Sequence, residues 1–113
     1  MKRNKYGARK AACSFGHTHD SGAEARRCND LHLLELAGEI THLEVQPQYW
    51  FAIDGRQIKH DNGRRVGFKA DWRYRDRSGQ LVVEDKKGFA ARDWPLRKAI
   101  FRALYPDTEL REV

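Results

Sequence analysis

The distribution of apolar and polar residues first indicates a helix after residue 20. Ser21 and Glu24 have the spacing of a capping box, in which the side chain at each position satisfies a backbone N–H at the other. The leucine-rich stretch that follows is closed by Gly38, a residue type that commonly ends helices. We therefore predict a helix over about residues 21–37, and capping gives Glu24 a structural explanation.

Strand patterns follow this helix. Residues 40–46 and 48–53 are rich in β-branched and aromatic side chains, and Pro47 between them is expected at a bulge or an edge. Residues 68–74 alternate apolar and polar side chains, and residues 81–83 form a short apolar run. These segments predict a strand pair or meander that leads into a hairpin.

A second helix and a final strand complete the pattern. Asp93 is a suitable N-cap, Pro95 fits the first helical turn, and Pro106 follows the last apolar position of the helix. Residues 108–113 predict a short strand. The order α-β-β-β-α-β indicates an α/β or mixed α+β fold, in which helices flank a central sheet.

The predicted hairpin brings acidic side chains together. If Gly79 is left-handed in a three-residue loop, Asp71 lies opposite Asp85, and Lys87 shares their face. Opposed Cβ atoms lie about 5 Å apart, so both carboxylates could bind one Mg²⁺ or Mn²⁺ ion. Phosphodiester hydrolysis requires an activated water and relief of the developing charge, and a divalent ion with a lysine beside it can supply both.

A second register stays open at this point. A four-residue loop would place Glu84 opposite Asp71 and make Lys86 the companion cation, and it would align the apolar side chains of the two strands. The turn chemistry of Gly79 favours Asp85 instead. A charged strand end is also common without any catalytic role, because charges on edge strands oppose aggregation.

Length and charge limit the function classes. With 113 residues the chain forms one domain, and its charge of 22 − 16 = +6 suits a polyanion such as nucleic acid. Residues 1–20 are expected to form a basic arm and residues 21–113 the domain. No run of about 20 apolar residues or signal sequence is present, which favours the cytoplasm. The arm and the second helix carry candidate DNA-binding cations: Lys2, Arg3, Lys5, Arg9, Lys10 and Lys98.

The two cysteines are too few for a disulfide scaffold. Cys13 and Cys28 could join His17 and His19 in a zinc site, since all four side chains are ligand types within one short segment. Their spacing matches no CxxC or HxxxH pattern. The sequence alone therefore favours exposed turn histidines and a helical cysteine.

The element order and the acids resemble the PD-(D/E)XK nuclease superfamily. More closely, the chain resembles a phage family of Holliday-junction-resolvase-like endonucleases that long carried only a domain-of-unknown-function label. The matching positions are Lys5-Tyr6-Gly7, Asp20-Ser21, Glu24-Ala25, Gly38-Glu39-Ile40, Leu43, Gln46-Pro47, Ala70-Asp71, Val83-Glu84-Asp85, Lys87-Gly88 and Lys98. Ala70 stands where a proline often precedes the first acid, and His19 stands where a phenylalanine is expected.

The resemblance implies a restriction-endonuclease-like core and assigns roles to particular residues. It selects Lys87, which precedes a glycine, and therefore Asp85 as the second acid. It implies Glu24 as an additional metal-site acid, Gln46 as a first-strand glutamine, and Lys98 as a basic residue on the second helix.

The sequence therefore predicts one leading function and one alternative. The first is a Mg²⁺-dependent or Mn²⁺-dependent endodeoxyribonuclease that acts on branched DNA, with a possible homodimer for a two-fold junction. The alternative is a non-catalytic nucleic-acid-binding module that uses the basic arm and exposed aromatic residues, for which Trp50 and Trp72 are the expected examples.

Overall fold

The computed structural model describes residues 10–19, 21–86 and 92–113. Its helices are α1 (Gly22–Leu36) and α2 (Trp94–Leu104). Its strands are β1 (Ala11–Ala12), β2 (Thr18–His19), β3 (Thr41–Val45), β4 (Gln48–Trp50), β5 (Ala52–Ile53), β6 (Arg56–Gln57), β7 (Gly67–Lys69), β8 (Trp72–Arg75), β9 (Leu81–Asp85) and β10 (Glu109–Glu112).

Helix α1 has the ends that its sequence predicts. The Ser21 hydroxyl accepts a hydrogen bond from the Glu24 N–H at 3.2 Å, which satisfies one of the free donors of the first turn. Gly38 has φ +78°, and its N–H donates to the Glu35 carbonyl at 3.0 Å. A glycine at this left-handed position avoids the steric cost of a Cβ. The helix predicted over residues 21–37 is confirmed.

The central sheet is mixed and has four strands in the order β10-β9-β8-β3. Strand β10 runs parallel to β9, whereas β8 is antiparallel to both of its neighbours. This sheet and the two helices confirm the predicted α+β class. Neither helix in the described ranges combines the length and apolarity needed to cross a bilayer.

The β8–β9 hairpin has the first of the two registers considered from the sequence. Trp72 pairs with Glu84, and the Asp76 N–H donates to the Gln80 carbonyl at 3.0 Å. Gly79 has φ +87°, the left-handed conformation that the three-residue loop requires. Because the strands are antiparallel, the next position places residue 71 opposite residue 85. The alternative register, with a four-residue loop and Glu84 opposite Asp71, is therefore wrong.

The strand predicted over residues 68–74 is two strands in different sheets. β7 pairs with β4, β8 belongs to the central sheet, and the chain bends between them at Ala70 and Asp71. The partner segment bends at the same level, where Gln46 has φ +56°. The Gln46 N–H donates to the Asp71 carbonyl at 2.8 Å across this bend. Such irregularities redirect side chains, and here the bend lies at the first predicted acid.

Each face of the central sheet packs against one helix. Trp72 and Val82 lie in a buried cluster with residues of α1 such as Leu31. Val83, which points to the opposite face, packs with Phe101 of α2. Alternation along β9 therefore directs residue 84 toward α1 and residue 85 toward α2.

The described part of the predicted N-terminal arm is folded. Residues 10–19 contain the β1–β2 hairpin, in which Ala11 pairs with His19, and this hairpin packs against α1. Cys13 and His19 are buried in it. The arm boundary at residue 20 is therefore wrong for residues 10–19, because their apolar and aromatic side chains cover one side of the helix. Residues 1–9 lie outside the described residues.

Candidate active site

A row of carboxylates crosses the end of the central sheet on the α2 side. Asp85 ends β9 and hydrogen bonds to Asp71, which lies just before β8. On its other side, Asp85 is the register partner of Glu112 in the parallel strand β10. The Val113 N–H donates to the Asp85 carbonyl at 2.9 Å, which fixes the end of β10 beside this acid. We refer to Asp71, Asp85 and Glu112 as the acid row.

Asp85 is the acid most affected by this arrangement. Burial raises the pKa of its carboxyl group to about 7, and the charge and hydrogen bond of Asp71 and the charge of Glu112 act in the same direction. The backbone N–H of Asp71 opposes this shift. Two carboxyl groups in contact favour a shared proton, or a cation in its place. The donor set of hard oxygen atoms fits Mg²⁺ or Mn²⁺.

Asp71 is positioned by backbone contacts on both sides. Its Oδ2 atom accepts the Lys86 N–H at 2.7 Å, and its carbonyl accepts the Gln46 N–H. The side-chain amide of Gln46 donates to the Thr18 carbonyl at 3.3 Å. A cavity of about 330 Å³ opens here, and its lining includes Asp71, Gln46 and Lys10. The structure therefore brings Gln46 next to the first acid, and the role that the resemblance implies for it stays a prediction.

Lys98 approaches the acid row from α2. Its Nζ atom lies 2.8 Å from Glu112 Oε1, and it also lies 6.0 Å from the centre of the Trp94 ring. Lys98 therefore supplies a positive charge beside the acids. Lys87, the motif lysine predicted from the sequence, lies outside the described residues.

Glu84 lies on the opposite face of the sheet from Asp85. Its side chain is fully buried, and it accepts hydrogen bonds from Arg27 Nε at 2.9 Å and Arg27 Nη2 at 2.8 Å. The Tyr74 hydroxyl also donates to it. These contacts tie α1 to β9, so Glu84 has a structural role and is wrong as a partner of Asp71. The backbone N–H of Lys86 does contact Asp71.

Glu24 is buried in the first turn of α1. Its N–H donates to the Ser21 hydroxyl at the helix cap, and the capping role predicted for its side chain stays a prediction. The metal-binding role that the resemblance implies for Glu24 stays a prediction. Of the cations predicted in the arm, Lys10 lines the cavity at Asp71, and the others lie outside the described residues: Lys2, Arg3, Lys5 and Arg9.

A basic groove continues from the acid row along the surface. Lys69 lines both the cavity at Asp71 and a second cavity of about 720 Å³. That second cavity also contains Arg64, Arg65 and Trp50. The guanidinium of Arg65 lies 4.8 Å from the centre of the Trp50 ring, and 44 % of Trp50 is exposed. We call the surface formed by these residues the basic groove.

Glu112 is the functional candidate that the sequence analysis missed. The predicted final strand included it, but its partner on β9 depends on the register of a parallel pair joined through a helix. Turn residues set the register of a hairpin, whereas no comparable local signal sets that of a parallel crossover. The only sequence signal was an acid near the end of a strand predicted to join the sheet.

A family model matches residues 3–113, nearly the whole chain. The chain belongs to DUF1064. This family is described as a protein of unknown function, so membership assigns no activity. Comparison with curated proteins and with solved structures gave no significant match. The similarity to PD-(D/E)XK nucleases therefore stays a prediction that depends on the residues and the geometry above.

Proposed function

We propose that this DUF1064 chain is a divalent-metal-dependent DNA endonuclease of the PD-(D/E)XK type that acts on branched DNA such as a Holliday junction. The β8–β9 register, which faces Asp71 with Asp85 so that their carboxyl groups interact, carries the proposal. A partly buried pair of interacting carboxyl groups beside an open cavity is costly unless a proton or a cation neutralises it. Nuclease chemistry gives such a pair a use.

In this proposal Asp71 and Asp85 hold Mg²⁺ or Mn²⁺, with Glu112 at the end of the same row. The ion supplies Lewis acidity and an activated water when bound. Asp71 is held in place by the Lys86 N–H, and Gln46 lies beside it. These contacts would fix the Asp71 carboxylate in position for the ion and the phosphate of the DNA. Lys87 is the proposed cation for the transition state, and Lys98 holds Glu112 in the row.

The basic groove gives a path for the DNA backbone toward these acids. Lys69 connects the cavity at Asp71 with the groove that contains Arg64 and Arg65. Trp50 and Arg65 together offer a flat surface on which an unpaired base could stack. Contacts of this type recognise the backbone and unpaired bases, which favours structure-selective recognition over reading a long sequence.

The test is cleavage of a labelled four-way junction as Mg²⁺ is titrated. Asp85→Asn and Asp71→Asn remove one ligand charge each while keeping side-chain size, so each should lower the cleavage rate by about 100-fold or more. Junction binding in Ca²⁺ should change less than about threefold. Gel analysis of the nicked products and a binding titration give both values.

Glu109→Gln is the matched control, because Glu109 is an exposed acid in the same sheet that pairs with Arg111. Its cleavage rate should equal that of the wild type. Wild-type rates in both aspartate variants would contradict the nuclease proposal.

A second candidate function is a metal-independent module that binds branched or single-stranded nucleic acid. The stacking of Arg65 on exposed Trp50 favours it, since this surface could bind nucleic acid without any chemistry. Junction binding without cleavage at any Mg²⁺ or Mn²⁺ concentration would favour this candidate. For the nuclease, we propose a cytoplasmic setting in a phage host and a homodimer when a two-fold junction is resolved.

A further inference from the structure

A cluster of sulfur and nitrogen ligands lies between the β1–β2 hairpin and α1. One ligand atom from each of its side chains lies within 4.8 Å of all the others. Three of the residues belong to or flank the β1–β2 hairpin, and one lies on α1. The cluster consists of Cys13, His17, His19 and Cys28.

We propose that the β1–β2 hairpin and α1 together bind one Zn²⁺ ion through four side chains: Cys13, His17, His19 and Cys28. This site is structural, and it is inferred without reference to the proposed nuclease activity. It fastens the hairpin to the helix.

The distances fit a tetrahedral site. Zn–S bonds of about 2.3 Å and Zn–N bonds of about 2.0–2.1 Å place a sulfur and a nitrogen ligand about 3.6 Å apart. Cys13 Sγ lies 3.5 Å from His17 Nδ1, and Cys28 Sγ lies 3.8 Å from the same atom. The widest separation in the cluster is 4.8 Å, so closure around an ion needs movements of about 1 Å.

The hairpin turn presents its ligands in a way that suits a metal. The Cys13 N–H donates to the His17 carbonyl at 2.9 Å, and Gly16 has φ +86°, so the turn closes tightly between the first two ligands. His17 and His19 lie two positions apart at β2. The Ser14 N–H donates to Asn29 Oδ1 at 2.7 Å, which holds this turn against α1.

The chemistry of the donors selects zinc rather than magnesium. Thiolate and imidazole are soft or borderline ligands, whereas Mg²⁺ prefers oxygen. Two thiolates balance the charge of Zn²⁺, so a neutral unit is buried.

Aromatic rings enclose the cluster. The His17 ring stacks on His32 with centres 5.2 Å apart, and the Phe15 ring also stacks on His32, at 4.2 Å. On the inner side, Trp72 lies 6.1 Å from the His19 ring. This packing limits the access of water, as expected for a structural metal site.

The size of the hairpin gives the site a physical purpose. Each of β1 and β2 has two residues, and a two-stranded hairpin of this length is not stable alone in water. A zinc ion that joins both ends of the hairpin to α1 would hold it in place. Since Thr18 and Lys10 of this segment line the cavity at Asp71, the hairpin also forms part of that cavity wall.

The test measures zinc directly in the full chain, purified under reducing conditions from zinc-supplemented cells. Mass spectrometry of the metal content should give about one Zn²⁺ per chain. After exchange, Co²⁺ should give the visible bands of a tetrahedral site and a thiolate charge-transfer band. Removal of the metal should lower the melting temperature by about 10 °C or more.

Cys13→Ser and His17→Gln should reduce the bound zinc at least about tenfold, because each removes one of four ligands. His42→Asn is the matched control, since His42 is an exposed histidine outside the cluster and asparagine tolerates its φ of +57°. This variant and Asp85→Asn should keep about one Zn²⁺.

A wild-type chain without bound zinc and without a tetrahedral Co²⁺ spectrum overturns the proposal, and so does full zinc content in both ligand variants. If a ligand variant does not fold, the wild-type cobalt spectrum decides. Loss of the nuclease assignment would leave this result unaffected, because no step of the zinc test depends on cleavage.

Discussion

At the scale of single residues, Asp85 has a carboxyl group whose proton affinity is altered by folding. Its pKa is raised from 3.8 to about 7 by burial and by Asp71 and Glu112. The folded chain therefore keeps a proton that the unfolded chain releases above about pH 4. Metal-free protein should consequently lose stability as the pH rises from about 4 to 7, with no further loss from this group above that range.

Asp85→Asn should remove this loss. In magnesium-free buffer at pH 8, we expect the variant to melt about 5 °C above the wild type, and at pH 4 the two should melt together. Circular dichroism melts at both values check this, with Glu109→Gln as the control. Added Mg²⁺ should stabilise the wild type and not the variant. Equal melting temperatures of the variant and the wild type at pH 8 would mean that ionisation of Asp85 does not destabilise the metal-free fold.

At the scale of elements, one ion pair links α1 to β9 in addition to their apolar packing. Arg27 donates two hydrogen bonds to Glu84, whose side chain is fully buried, while 32 % of the Arg27 side chain is exposed. Arg27→Met removes the cation and leaves a buried carboxylate whose remaining hydrogen bond, among the described residues, comes from the Tyr74 hydroxyl. We expect a loss of about 3 kcal/mol in the free energy of unfolding, measured by urea denaturation at pH 7.

The double variant Arg27→Met with Glu84→Gln tests the cause. If the cost comes from the unpaired charge, removing that charge should recover a substantial part of the lost stability. Arg77→Met is the control for the loss of an exposed ion pair, that with Glu39, and should change stability by less than about 1 kcal/mol. A double variant no more stable than Arg27→Met would contradict this account.

The elements also show what could be predicted from the sequence. Helix α1 and the β8–β9 register follow local rules, a capping box and a left-handed Gly79, so both were predictable. The break at Ala70 and Asp71 was not, because it depends on a matching bend at Gln46 in a distant segment. The four side chains of the Cys13 cluster were named from the sequence but not favoured as a zinc site, since no ligand-spacing pattern shows that they meet when the hairpin packs on α1.

At the scale of the whole molecule, the charge of +6 favours binding to a polyanion. If about four phosphates are contacted, the affinity for a DNA junction should fall about 100-fold between 50 and 200 mM salt. Arg64→Ala and Lys69→Ala in the basic groove should each reduce the salt slope by about one. Fluorescence anisotropy titrations at several salt concentrations measure these slopes.

Arg77→Ala is the matched control for this experiment. Arg77 is an exposed arginine in the turn of the β8–β9 hairpin, at the opposite end from the acid row. Its salt slope should equal that of the wild type. If Arg77→Ala reduces the salt slope as much as Arg64→Ala does, DNA binding depends on the overall charge of the protein and not on the basic groove.

The hydrogen bond from Val113 to Asp85 has a practical consequence for protein production. A purification tag fused after Val113 would leave the fold directly beside the acid row, and a polyhistidine tag would bring additional imidazole ligands there. Metal titrations should therefore use a cleavable tag, removed before measurement, so that the affinity observed is that of the native side chains.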